Sequence, residues 1–458
     1  MPNNKITAGG ILSQTQSLCP VCFRLLKAQR VLKGNEIFLE KQCPEHGVFS
    51  TVIWRGEPEF TSWVRPKIPS YPQNPATDYN RGCPFDCGLC PEHRQHTCTA
   101  LMEITQNCDL GCPVCFASSD KKSLPDPELK EIMGWCRAVM QASGPRNIQL
   151  SGGEPTMRKD LSAIIEMVRN QGFSFVQLNT NGIKLGQRPG YAQELRQAGL
   201  ASVFLQFDGC SDKIQRKIRG ADLLRIKLKA IENSVQAGLG VVLVPTLIPG
   251  INTNDLGKIM ELALDLAPGI RGVHFQPVSY FGRFPHDPSD RDRLTLPEIM
   301  QGLYEQTKGL LKITDFHPPG CENALCSFSA AYVKTGSQSL TRLGGETGQC
   351  NCSQSEPEVA ALGAQRSVDL VAERWSAPAQ GACGCSQVQN YLSFDDFLGM
   401  ARTNTFTVSA MAFQDAWNLD LERVKDCCIH VVSPDKRLIP FCLYNLTDIR
   451  GKTLYRKV

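Results

Sequence analysis

The chain lacks a large charge of either sign: 49 Lys and Arg against 45 Asp and Glu leave a net charge of +4 over 458 residues. So small and dispersed an excess excludes nucleic acid as the main partner. Long apolar runs are also missing. None approaches the length of a membrane-spanning helix, and the opening Met1-Pro2-Asn3-Asn4-Lys5 leads into Gly and Ser rather than into the apolar core of a signal peptide. A soluble, cytoplasmic protein is expected. Its length exceeds what one hydrophobic core usually organises, so two or three domains are expected. What the chain has in excess is cysteine, 21 in all. Disulfide frameworks belong to small secreted domains. Closely spaced thiolates converge on one ion but close poor disulfide loops, so the clustering favours metal.

Two triplets share one spacing, C-x3-C-x2-C: Cys83, Cys87, Cys90 and then Cys108, Cys112, Cys115, with Cys98 between them. Three thiolates on a cubane leave its fourth iron without a protein ligand, free to chelate a small molecule. The second triplet is the candidate for that open site, because it follows the strand-like run Thr99 to Thr105. The first lies in Arg81-Gly82-Cys83-Pro84-Phe85-Asp86-Cys87-Gly88-Leu89-Cys90, after a Pro-rich linker from Pro66 to Asn80. With Cys98 it offers four thiolates, enough to saturate an auxiliary 4Fe–4S cluster used for electron transfer or structure. His93 and His96 in that loop are then hydrogen-bond donors rather than ligands.

Upstream, Cys19-Pro20-Val21-Cys22 and Cys43-Pro44-Glu45-His46 form two knuckles around a strand-like stretch. Cys19, Cys22, Cys43 and His46 make a closed Cys3His tetrahedron for zinc or a rubredoxin-like iron, a site that folds a small domain and admits no substrate. Beyond residue 300, Cys321, Cys326, Cys428 and Cys442 could together ligate a third cluster. Cys350, Cys352, Cys383 and Cys385 fall in a Gly-, Ser-, Gln- and Ala-rich stretch that looks like an insertion around 340–390.

From Thr99 to about Tyr280, strands alternate with helices. Pro127 opens a helix with the stripe Leu129, Ile132, Met133, Cys136, Val139 and Met140, which places Cys136 in the core. Asp160 caps the next helix. Further strands are expected at Asn147–Leu150, Phe173–Leu178, Ala201–Phe207, Leu239–Val244 and Val273–Gln276. Six such steps give a parallel sheet of the incomplete (β/α)6 barrel kind, an α/β fold whose chemistry sits at the C-terminal strand ends. There stand Gly152-Gly153-Glu154-Pro155, Asn179-Thr180-Asn181-Gly182 and Gln206-Phe207-Asp208-Gly209. Two glycines permit close backbone approach and a carboxylate can pair with an ammonium, although N-G and D-G are also ordinary turn formers. The expected organisation is a metal domain at 1–66, an auxiliary-cluster segment at 67–98, the barrel at 99–300 and a C-terminal auxiliary-cluster domain at 301–458.

The consecutive order of the knuckle pair, R-G-C-P-F-D-C-G-L-C-P-x-H-x-x-H-T-C, the strand, N-C-D-L-G-C-P-V-C-F-A and G-G-E-P resembles the radical S-adenosylmethionine (SAM) superfamily. Within it the chain resembles the archaeal tetraether lipid synthase and its bacterial relatives, a group also described as class D radical SAM methyltransferase-like. The resemblance implies SAM on the Cys108, Cys112, Cys115 cluster, with Gly152, Gly153, Glu154, Asn179, Gln206 and Asp208 around it. It also implies two auxiliary 4Fe–4S clusters, three in all, one mononuclear metal, and a reductant such as ferredoxin or flavodoxin. The implied reaction is hydrogen abstraction from an unactivated carbon by a 5′-deoxyadenosyl radical. Lipid chains joined carbon to carbon are the leading expectation, with peripheral membrane contact. The alternatives are methyl or methylene transfer to a pterin-like heterocycle and peptide modification with auxiliary clusters. An iron–sulfur electron carrier would not need the barrel motifs.

Overall fold

Alternating polar and apolar residues set up an antiparallel meander of β1 (Gly10–Leu18), β2 (Leu25–Lys33), β3 (Glu36–Cys43) and β4 (Gly47–Arg55). The first and third of its connecting turns carry the knuckles. The computed structural model describes residues 10–456 apart from 73, 121–124, 337–338, 345–355 and 379–393. The meander is fastened to the C-terminal part of the chain by polar contacts. Lys41 Nζ donates to Ser17 Oγ (2.9 Å) and the Ala416 carbonyl (2.7 Å), and Arg30 pairs with Asp420 at 2.6 Å.

The barrel strands are β5 (Thr99–Thr105), β6 (Asn147–Gly152), β7 (Val176–Thr180), β8 (Ser202–Gln206), β9 (Gly240–Val244), the short β10 (Thr246–Leu247) and β11 (Ile270–Pro277). β5, β6, β7, β8, β9 and β11 lie side by side in that order, all parallel. Near-continuous apolar runs such as Val241-Val242-Leu243 are buried on both faces, as helices on a parallel sheet require. The sheet does not close on itself. Beyond β11 it continues through β14 (Thr405–Met411), β12 (Ser327–Gly336) and β13 (Ser339–Arg342); beyond β5 it continues through β15 (Ile429–Val432) and β16 (Leu438–Pro440). The fold is thus α/β, an incomplete six-stranded (β/α) barrel with an N-terminal metal-binding ribbon and a C-terminal extension.

Local expectations differ from the structure in three places. The helix Leu129–Ser143 buries Ile132, Trp135, Cys136 and Val139, whereas Leu129, in its first turn, is exposed. Its start is closed by a capping box between Glu128 and Glu131. Asp160 stands at the start of helix Leu161–Asn170 without capping it, because Arg158 takes both carboxylate oxygens at 2.9 and 2.7 Å. The stretch read as an insertion contains a long helix, Glu356–Trp375, that packs against the sheet. Trp375 rests on Phe204 and His274, with ring centroids 5.5 and 6.0 Å away, and Arg271 Nε donates to the Arg374 carbonyl at 3.0 Å. Cys350, Cys352, Cys383 and Cys385 lie outside the described residues.

Candidate functional site

The Cys108 loop leaves the C-terminal end of β5 and is held from three sides. Arg283, six residues past β11, donates from Nε to the Cys112 carbonyl (2.8 Å) and from Nη2 to the Ser119 carbonyl (2.7 Å). Its backbone exchanges two 2.9 Å hydrogen bonds with Cys115. From β6, Gly153 N donates to the Thr105 carbonyl (2.9 Å) and Glu154 N to the Asn107 carbonyl (2.8 Å). Both glycines are required by this approach: a Cβ on Gly152 would stand 2.1 Å from the Thr105 oxygen, and one on Gly153 2.3 Å from that of Asn107. From β7, Asn181 Nδ2 donates to Asp109 at 2.7 Å. Cys112 is buried, while Cys108 and Cys115 are half-buried. Burial pushes the Cys108 thiol up to about 12, so its thiolate needs a cation beside it, which iron supplies. Phe116 packs on Phe441 at 5.6 Å, and Phe441 on Phe413 and Phe281 at 4.4 and 6.0 Å, an aromatic cover beside the loop.

The motif carboxylates are each engaged by neighbouring side chains. Glu154 is fully buried and accepts four hydrogen bonds, from Thr156 N (3.1 Å), Thr156 Oγ1 (2.7 Å), Thr180 Oγ1 (2.7 Å) and Asn181 N (2.7 Å). Burial still raises its pKa despite these donors. Its visible work is to tie β6 to β7. Asp208, also fully buried, is clamped by Arg219 through two 2.7 Å hydrogen bonds and flanked by Lys227 at 3.8 Å. Burial opposes the carboxylate charge, but the guanidinium prevails and holds it below the usual range. Arg219 in turn bears on the Cys112 sulfur. Asp208 thus holds Arg219 in place. Gln206, by contrast, buries a side-chain oxygen with no hydrogen-bond partner among the described residues, as an acceptor waiting for a ligand would. Asn179 is half-buried and donates to Ser151 Oγ at 3.1 Å. An orphan acceptor, a three-thiol loop and a tight glycine approach together fit a SAM-bearing cluster.

At the ribbon, Cys19, Cys22, Cys43 and His46 place their ligand atoms within 4.8 Å of one another. An ion bonded to sulfur at about 2.3 Å and to nitrogen at about 2.0–2.1 Å sets tetrahedral edges of roughly 3.8 Å (S···S) and 3.5 Å (S···N). Cys22 and Cys43 are 4.0 Å apart, and His46 Nδ1 lies 3.6 Å from Cys19 and 3.4 Å from Cys43. The distances fit.

The remaining thiols are grouped differently from expectation. Cys98 stands 2.9 Å from Cys321 and within 4.8 Å of Cys428, in a buried group covered by Val368. The reason is strand pairing: β15 lies parallel to β5 with Ile429 opposite Thr99, and Cys98 N donates to the Cys428 carbonyl at 2.8 Å, so the two cysteines enter neighbouring strands side by side. Glu322 is 3.6 Å from Cys428. The expected quartet Cys321, Cys326, Cys428, Cys442 is divided. Cys326 takes a contact from Arg423 Nε (3.5 Å), Cys442 accepts from Gln414 N (3.2 Å), and both interact with Cys427 rather than Cys428. Cys427 and Cys428, adjacent in the chain, thus belong to different groups. Cys83 and Cys87 interact directly, with Cys90 nearby, and all three are buried. His93 is a core residue whose Nε2 donates to the Cys427 carbonyl (2.7 Å) and lies 3.2 Å from His430 Nε2.

Arg219 and Glu322 escaped the sequence reading.

The radical SAM superfamily profile matches residues 102–263, and that of the HMPTM N-terminal zinc ribbon domain matches residues 11–55. The chain is 33% identical, over 94% of its length and 93% of the relative's, to the 7,8-dihydro-6-hydroxymethylpterin dimethyltransferase of Methanocaldococcus jannaschii. The chain belongs to this enzyme family, within the radical SAM superfamily. A probable GTP 3',8-cyclase of Methanococcus vannielii is 31% identical over 39% of this chain and 58% of its own. The FeFe-hydrogenase maturase HydG from Carboxydothermus hydrogenoformans superposes on 47% of this chain and 52% of its own, with 15% identity and a TM-score of 0.37. The family match amends the narrower resemblance expected from the motifs. The relative that spans nearly the whole chain is named for a pterin, not for a tetraether lipid. The protein is a radical SAM enzyme, and among the described residues no helix is long and apolar enough to cross a membrane.

Proposed function

We propose that this radical SAM enzyme transfers methyl or methylene carbon to a pterin-like heterocycle. The observation that carries the reading is the 33% identity to the pterin dimethyltransferase across 94% of the chain. Cys108, Cys112 and Cys115 would hold the 4Fe–4S cluster, which with SAM would supply the radical chemistry that removes hydrogen from an unactivated carbon. The buried Gln206 oxygen would accept from a hydroxyl of the cofactor, and Arg219, fixed by Asp208, presents its guanidinium beside Cys112. Gly152 and Gly153 keep the loop against β6, and Phe116 with Phe441 keeps water from it.

Cys83, Cys87 and Cys90 carry one auxiliary cluster in this reading, and the Cys98, Cys321, Cys428 group a second metal centre. The seven residues of β5 separate Cys98 from the Cys108 loop. At about 3.3 Å per residue that is roughly 20 Å, so the Cys98 centre serves electrons, delivered by a reductant such as ferredoxin or flavodoxin, and not the substrate.

The test is anaerobic reconstitution with reductant and SAM, offering dihydropterin, peptide and lipid extract in parallel. Pterin alone should stimulate 5′-deoxyadenosine release. Stimulation by lipid with none by pterin would replace this reading with chain coupling.

A further inference from the structure

Four separate segments meet around a cleft of about 700 Å³ on the far side of the first cysteine triplet. The ribbon knuckle brings Cys22, Phe23 and Arg24, the triplet loop brings Arg81 and Phe85, the turn between β15 and β16 brings Arg437, and the C-terminal segment brings Lys452 to Tyr455. Its walls hold four cations and no carboxylate. Arg24 and Arg437 are paired with Glu45 and Asp435, at 2.6 and 2.7 Å, on acids outside the lining. Arg81 lies over the Phe85 ring at 4.7 Å and feels the charge of Asp86, to which its backbone N–H donates, but neither it nor Lys452 forms a close side-chain ion pair among the described residues. Both cations can therefore turn to a guest. The volume is that of a small-molecule site. Phe23, Phe85 and Tyr455 supply flat apolar surface beside the charge.

The geometry points to a phosphate-ester site: a ligand whose phosphate is held by Arg81 and Lys452 and whose body rests on the aromatic wall. Guanidinium and ammonium groups converging from several segments suit the several oxygens of a phosphate better than the single edge of a carboxylate. The site communicates with the first triplet. Arg437 Nη1 donates to the Cys87 carbonyl (3.2 Å), and Tyr455 Oη donates to the Pro84 carbonyl (2.6 Å) while accepting from Cys87 N (3.0 Å). Occupancy therefore bears on the backbone that carries Cys83 and Cys87. The inference stands apart from the substrate assignment.

Calorimetric titration of the anaerobic holoenzyme with inorganic pyrophosphate tests it. Binding should weaken about tenfold or more in Arg81→Gln and in Lys452→Gln, and return in Lys452→Arg. The electron paramagnetic resonance signal lost in Cys83→Ala should be the one that pyrophosphate perturbs. A parallel arm with vesicles of equal phosphatidylglycerol and phosphatidylcholine separates the sources: vesicle binding lost in the same variants assigns a lipid headgroup, and pyrophosphate binding without it assigns a soluble ester. Binding of neither probe, or equal pyrophosphate affinity in the wild type and both Gln variants, overturns the proposal.

Discussion

Asp208→Asn removes the negative member of a buried charge group while leaving its shape. Asp208 and Lys227 are fully buried and the Arg219 side chain is 5% exposed, so the two cations would keep almost no water to replace the lost carboxylate. Breaking a buried pair on one side costs about 3–5 kcal/mol. Burial already holds Lys227 down to about 8 in the presence of Asp208, so without the carboxylate it can shed its proton, which places the loss near the lower figure. For a barrel-sized domain, about 3 kcal/mol lowers the thermal midpoint by roughly 6–12 °C. The assay is a melt of the holoenzyme followed by circular dichroism, paired with SAM binding to the protein that remains folded. Affinity should fall only as far as Arg219 is misplaced, and the resonance spectrum of the Cys108 cluster should change with it. An unaltered melt with abolished SAM binding would refute the positioning role and restore Asp208 as a direct ligand.

Other perturbations separate the metal centres. Cys98→Ala should remove metal from the Cys321 and Cys428 group and leave the Cys83, Cys87, Cys90 cluster spectrally intact, checked by iron content and resonance spectra; loss of the first-triplet signal instead would reinstate Cys98 as its fourth ligand. Cys19→Ala with Cys43→Ala should release one ion and lower stability, yet the folded fraction should still cleave SAM, because a closed tetrahedron cannot reach substrate. Burial holds His274 down at about 4, against an ordinary 6.5, so the unfolded chain binds its proton first as pH falls and stability is lost on acidification through that window. Between pH 6.5 and 5 this amounts to about 1.5 kcal/mol, and His274→Phe should flatten the pH dependence of the urea midpoint by that amount. Gly153→Ala should cost SAM-cluster incorporation, measured by iron and sulfide content, since its Cβ would meet the Asn107 carbonyl.

Periodicity carried the barrel well because each strand is a short apolar run bounded by turn residues, from Thr99–Thr105 to Ile270–Pro277. Closely spaced ligands were equally legible: Cys19, Cys22, Cys43 and His46 meet through the two turns of one meander. What sequence could not display was pairing across long separations. Only the parallel register of β15 on β5 puts Cys98 beside Cys428, more than three hundred positions away, and takes it from the triplet it follows in the chain. The same limit hid the contact that Arg283 makes, its guanidinium reaching back to Cys112 from beyond β11. Spacing also singled out Glu154 and Asp208 but could not show the neighbours that engage them, Thr180 and Asn181 for the first and Arg219 for the second.

The most direct measurement is mass spectrometry of 7,8-dihydro-6-hydroxymethylpterin after anaerobic turnover with reductant, SAM and a one-carbon donor, comparing the wild type with the combined Cys108→Ala, Cys112→Ala, Cys115→Ala variant. The account predicts a pterin that gains methyl carbon with the wild type and stays unchanged with the variant, while 5′-deoxyadenosine forms only in the first. An unchanged pterin in both, with 5′-deoxyadenosine released by the wild type in response to lipid or peptide, would contradict it.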